Sequence, residues 1–227
     1  MVNPSTSGRS TPLLTKARIS DTFMASLFVG ACYVIYFYFG DIDSFQENGL
    51  FETGQNFLFL ASGIVFFATA AMADDKAHRS VMCGLVLFCM SLLAREVDVR
   101  GTSLEPYLGS LTPYRIPYIL LLMFWVGLMY VAVRGAGATW HAGVKWLLSI
   151  AGGWFFAGAV LYIVADMADK HIFTDGTTNY GINRSEMIEE ALEFIGALFV
   201  LYASYVSVRR QWRLTISQRT LSPDDGR

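Results

Sequence analysis

The sequence predicts an all-α, polytopic integral membrane protein of six transmembrane helices with both termini in the cytoplasm. Three observations carry that expectation. The 227 residues are 54% hydrophobic and include 17 Phe and 11 Tyr, which is too apolar for an ordinary soluble domain. The apolar residues gather into six long runs, most of them near the roughly 20 residues that a bilayer demands of a helix. Lys and Arg are spread unevenly between the two sides that those runs define.

Residues 1–20 are rich in Ser, Thr and Pro and lack apolar periodicity, so they are expected to form a disordered cytoplasmic tail. The membrane domain is expected over residues 21–210, and its runs are 22–40, 53–72, 80–94, 116–133, 146–165 and 191–208. The third run is short and can be completed by residues 95–99, which would bring its charged members inside the protein or to its mouth. Asp41, Asp43 and Glu47 fall in the first loop and read as a solvated segment; Asp74, Asp75, Lys76, His78 and Arg79 fall in the second. Arg134, His141 and Lys145 mark the turn before the fifth run, and Asp166 to Ser185 form the longest external loop. A cytoplasmic tail over residues 211–227 completes the chain.

Short loops rich in Lys and Arg stay in the cytoplasm, and this sets the orientation. With both termini inside, twelve of the 17 Lys and Arg are cytoplasmic, whereas 14 of the 19 Asp and Glu are external. The net charge of −2 conceals this polarity. Nothing resembles a nucleic-acid surface; the partner of the basic side is the lipid bilayer with its anionic headgroups. Cys32, Cys83 and Cys89 lie inside apolar runs without ligand spacing, so neither a disulfide framework nor a zinc site is expected.

The most informative stretch is SEMIEEALEFIG, residues 185–196, at the outer mouth of the last run. At about 100° per residue Glu186, Glu189, Glu190 and Glu193 share one helical face, and apolar sequence follows to Val208. Glu186 and Glu189 also suit a first helical turn capped by Ser185, where the macrodipole favours acids. Glu193 lies deeper, about one turn into the bilayer, where a carboxylate must be protonated, paired with a cation or turned to a wet cavity.

Other helix ends bring polar groups to the same level. Glu52, Gln55 and Asn56 begin a stripe that runs inward through Ser62 and Gly63; Ser91, Arg95 and Asp98 share a face beside Glu96; Asp166, Asp169, Lys170 and His171 end the fifth helix, with Tyr162 one turn below Asp166. Stripes that cannot face lipid must face one another inside the bundle. Arg95 is expected to pair with Glu193 or Glu190.

Grouped carboxylates with amide side chains suit a hard divalent cation such as calcium, magnesium or manganese. The expected ligands are Glu52, Glu96, Asp98, Glu190 and Glu193, with Gln55, Asn56, Arg95, Asp166, His171 and Glu189 in support. Three functions remain open: binding or transport of a cation or small cationic solute, a structural or assembly role in which the cluster fixes helix packing, and an enzyme of hydrolase type on a lipid-linked or exported substrate, using Glu52, Glu96 and Glu193. Oligomeric state is left open. The aromatic residues Tyr33, Tyr36, Tyr38, Trp125, Trp140, Trp146 and Trp154 read mainly as belt and lipid-facing packing.

Glu47-Asn48-Gly49-Leu50-Phe51-Glu52 with Gln55, Arg95-Glu96-Val97-Asp98, and Glu189-Glu190-Ala191-Leu192-Glu193 together resemble a group of uncharacterised bacterial polytopic membrane proteins over helices two to six. That resemblance implies multi-pass placement in the bacterial cytoplasmic (inner) membrane and no particular activity. Glu52-x-x-Gln55-Asn56 is also distantly similar to the ceramidase-like membrane hydrolases. Their zinc-binding histidines have no counterpart here, so that mechanism is not implied.

Overall fold

A computed structural model describes residues 25–26, 28–35, 49–96, 116–169 and 184–221, and every described element is helical. The chain divides into two compact units, Met1–Gly40 and Asp41–Arg227. In the first unit residues 28–35 form a helix, α1, whose Phe28, Val29 and Tyr33 are exposed and whose Ala31 is buried. The second unit holds α2 (Leu50–Met72), α3 (Lys76–Glu96), α4 (Ile116–Arg134), α5 (Ala136–Leu147), α6 (Ile150–Asp169) and α7 (Arg184–Leu221). Residues 1–20, the segment read as a disordered tail, lie outside the described residues.

Among the described residues, four helices are long and apolar enough to cross a membrane: Leu50–Met72, Lys76–Ala94, Ile150–Ala168 and Met187–Ser217. A fifth crossing results if the bent pair α4 and α5 is taken as one. Large apolar side chains are exposed along these helices, among them Phe57, Ile64 and Phe67 on α2, Met123 and Met129 on α4, and Phe156 and Ile163 on α6. Such surfaces suit hydrocarbon and not water. The chain is a multi-pass helical membrane protein.

α7 and α2 are the central helices, α7 packing on both α6 and α2, and α2 on α7 and α3. The buried face of α2 explains its position: Phe51, Gln55, Phe59, Ser62, Phe66 and Thr69 recur every three or four residues, so one stripe meets its neighbours. α2 and α7 run in the same direction, since Phe51 meets Phe194 near their starts and the Gln211 side chain donates to the Met72 carbonyl at 3.0 Å near their far ends. α6 runs against α7, and the two approach closely at Gly158 and Gly196. A Cβ on Gly158 would lie 2.8 Å from the Gly196 carbonyl oxygen, and one on Gly196 would lie 2.9 Å from the Tyr162 ring. Small residues let membrane helices make such contacts.

The turn between α2 and α3 is short because it is capped from both sides. Both carboxylate oxygens of Asp75 accept from the first turn of α3, from the Ala77 N–H at 3.1 Å and the His78 N–H at 3.2 Å. The Arg79 guanidinium donates back to the Ala73 carbonyl at 2.6 Å.

Two stretches differ from the sequence expectation. Residues 136–147, read as a turn marked by His141 and Lys145, form the helix α5, bent 107° from α4 at Gly135. Its Ala138, His141, Ala142 and Lys145 fall on one face at helical spacing, a pattern too short for a span but sufficient for a helix lying across the bundle. α7 continues through residues 211–221, the first part of the segment assigned to the C-terminal tail. At 1.5 Å per residue its 38 residues extend about 57 Å, well beyond a hydrocarbon core of about 30 Å.

Tryptophans read as belt residues divide by environment. Trp140 is 76% exposed, but Trp146 is buried and donates to Ser207 Oγ at 3.1 Å, and half-buried Trp125 donates to Ser91 Oγ at 3.0 Å. Trp146 packs edge-on against both Phe66 and Phe155, linking α2, α5 and α6 through aromatic contacts.

Candidate functional site

The end of the bundle where α2 and α7 begin holds the carboxylate that the sequence marks as deepest. Glu193 is 5% exposed and Gln55 fully buried. Gln55 Nε2 donates to Glu193 Oε2 at 2.9 Å, tying α2 to α7. The position is sealed by rings: Phe51 and Phe194 meet edge-on with centroids 5.5 Å apart, and Phe194 occupies the space that a side chain at Gly54 would need. Phe59 and Tyr162 meet one turn farther in. An amide donor 2.9 Å from a carboxyl group in such surroundings makes a hydrogen bond with little water to compete for it.

Two acceptors there have no counterpart. Gln55 Oε1 and Asn56 Oδ1, on consecutive residues of α2, are buried and accept no hydrogen bond from the described residues. Buried amide oxygens are nearly always partnered, and leaving one dry costs on the order of 1–3 kcal/mol. Gln55 is therefore divided: its N–H reaches Glu193, and its oxygen offers a lone pair to something that donates a proton or carries positive charge.

The other expected residues distribute as follows. Glu52 stands half-buried in the first turn of α2, where the helix dipole favours it. Glu189 and Glu190 are half-buried on α7, one turn before Glu193. Asp166 is exposed and lines, with Tyr162, Phe88 and Leu92, a groove of about 390 Å³ between α3, α6 and α7. Arg95 and Glu96 fall in the last turn of α3, but their side chains, like Asp98 and His171, lie outside the described residues, as does any pairing of Arg95 with α7. Among the described residues no three His, Cys, Asp or Glu are grouped as metal ligands.

Hydroxyls along the polar stripe of α2 bond their own helix. Ser62 Oγ donates to the Leu58 carbonyl at 2.7 Å and Thr69 Oγ1 to the Val65 carbonyl at 2.8 Å, so each hydroxyl's proton is spent on its own helix. Ser91 likewise bonds the Leu87 carbonyl at 2.7 Å. Sequence reasoning placed Gln55 among the supporting groups and did not identify it as the direct partner of Glu193. It also missed the polar face of α7 at Ser204, Ser207 and Gln211, whose spacing of three and four was a usable signal.

What fold and site define is a multi-pass helical membrane protein with a buried carboxylate–amide pair between its two central helices. No known protein family matches the chain, and neither a curated protein nor a solved structure shows a significant match.

Proposed function

We propose that this chain is a six-span protein of a bacterial cytoplasmic membrane, with both termini inside, that binds a cation or small cationic solute in an outward-facing acidic pocket as a binding or transport protein. The observation that carries the reading is the pair of buried, unpartnered amide oxygens of Gln55 and Asn56, the first of them on the side chain that donates to Glu193. Neutral and anionic oxygens side by side are the ligands that calcium, magnesium or manganese take. Glu190, Glu52, Glu96 and Asp98 would complete the acidic lining, and the affinity expected is micromolar to millimolar. The six spans are α1, α2, α3, α4, α6 and α7, and the basic ends of α4 and α7 set the cytoplasmic side.

Thermal melts of the detergent-solubilised protein with and without each ion at pH 7 test this. An ion at 100 times its dissociation constant adds about 2.7 kcal/mol of stability. Glu193→Gln, which keeps an acceptor for Gln55 and removes the charge, is expected to abolish the shift. A melting temperature indifferent to all three ions overturns the cation and leaves a second reading, that the cluster only fixes helix packing. That reading is favoured by the Gln55–Glu193 bond itself, since it joins the two helices at the centre of the bundle.

A further inference from the structure

At the opposite end of the bundle lies a cavity of about 600 Å³. Its walls are the α2–α3 turn, one face of α5 and the far end of α7. Its charged lining comprises Lys145 from α5, Arg210 from α7, and Asp74 and Asp75 from the turn, with His78 and His141 beside them. These groups are not used equally by the fold. Asp75 is committed to the first turn of α3, and Arg79 beside it to the Ala73 carbonyl. Lys145, Arg210 and Asp74 make no hydrogen bond or ion pair among the described residues, so the cavity presents two free cationic groups and one free carboxylate.

The level of this cavity is fixed independently by α5. That helix is bent 107° from α4, so it lies across the bundle where the membrane-crossing helices end. One of its faces, with His141 and Lys145, lines the cavity; Trp140 and Leu147 are exposed on another, and Leu148 and Ile150 continue the exposed apolar edge. A short helix with an exposed Trp, an apolar edge and a basic face matches the polar–apolar boundary of a bilayer. The molecules at that boundary carry a phosphate on an apolar body, and basic pockets between membrane helices hold such headgroups.

We propose that this cavity binds the headgroup of a zwitterionic aminophospholipid, its phosphate between Lys145 and Arg210 and its ammonium against Asp74. The carboxylate is what selects the class. Two cations alone would favour an anionic headgroup, whereas an uncommitted Asp74 in the same cavity complements an amine and repels added negative charge. The lipid's acyl chains would leave over the exposed apolar edge of α5.

Native mass spectrometry of the full-length protein in detergent tests the site, with dioleoyl phosphatidylethanolamine, dioleoyl phosphatidylglycerol and soluble glycerophosphoethanolamine as probes. The expected result is retention of phosphatidylethanolamine in preference to phosphatidylglycerol. Lys145→Gln or Arg210→Gln should each weaken it about fivefold, as expected for one basic residue at a phosphate. Lys145→Arg should restore binding, and Asp74→Asn should erase the preference between the two lipids. The substituted side chains are exposed, and unchanged melting temperatures confirm that the variants fold. Equal retention by wild type and both charge-removing variants overturns the proposal. So does preference for phosphatidylglycerol, or competition by glycerophosphoethanolamine at the concentration of the whole lipid, which would mark a soluble phosphorylated ligand.

Discussion

A double-mutant cycle on Gln55 and Glu193 measures the charge state of the buried carboxylate directly. The two side chains meet at 2.9 Å, Gln55 fully buried and Glu193 5% exposed, so the bond is shielded from competing water. Gln55→Leu, Glu193→Leu and the double variant are compared with wild type by unfolding in mixed micelles with a denaturing detergent. Interhelical hydrogen bonds in membranes average about 0.6 kcal/mol and reach about 1.7 kcal/mol. A bond to an ionised acceptor is stronger, about 1.5–3 kcal/mol. The cation reading keeps Glu193 ionised, so a coupling of about 2 kcal/mol or more, above the range of neutral interhelical bonds, is expected in the presence of a bound ion. A coupling near 0.6 kcal/mol signals a protonated carboxyl that only joins two helices. Additivity to within about 0.5 kcal/mol would refute the bond as a stabilising contact altogether. The cycle cancels the separate cost of burying each leucine, which is why it is preferred to either single substitution.

Gly158→Ala and Gly153→Ala sit on the same helix and differ in surroundings. The added Cβ meets the Gly196 carbonyl oxygen at 2.8 Å in the first and nothing within 4 Å in the second. Both share the gain in helix propensity, so Gly158→Ala should be the less stable of the two by about 1–3 kcal/mol in the same unfolding assay, the cost of overpacking. Asp75→Ala removes the cap of α3 and should lower stability by about 0.5–2 kcal/mol, with faster amide exchange at Ala77 and His78.

The membrane class and most helices were legible in the sequence, because a span is a local property: about 20 apolar residues announce themselves whatever they pack against. α2, α4, α6 and α7 fall on their apolar runs with shifted ends, and α3 begins at Lys76, before the run that marked it, because Asp75 caps it there. The burial of Glu193 had a local signal too, a carboxylate followed by four apolar turns. α5 was not legible, since its twelve residues are too few for a span and its His141 and Lys145 look like loop markers until both are seen on one cavity wall.

Partners were decided by tertiary structure alone. Trp140 and Trp146 are the same residue six positions apart, yet one faces outward and the other is buried against Ser207, Phe66 and Phe155. Ser62 and Ser91 read as members of polar helix faces, but a helical hydroxyl can bond its own preceding turn, and here each does. That a buried carboxylate needs a partner follows from the cost of desolvating charge. That Gln55 supplies one, and is left with an unmatched oxygen, follows only from the register in which α2 lies along α7.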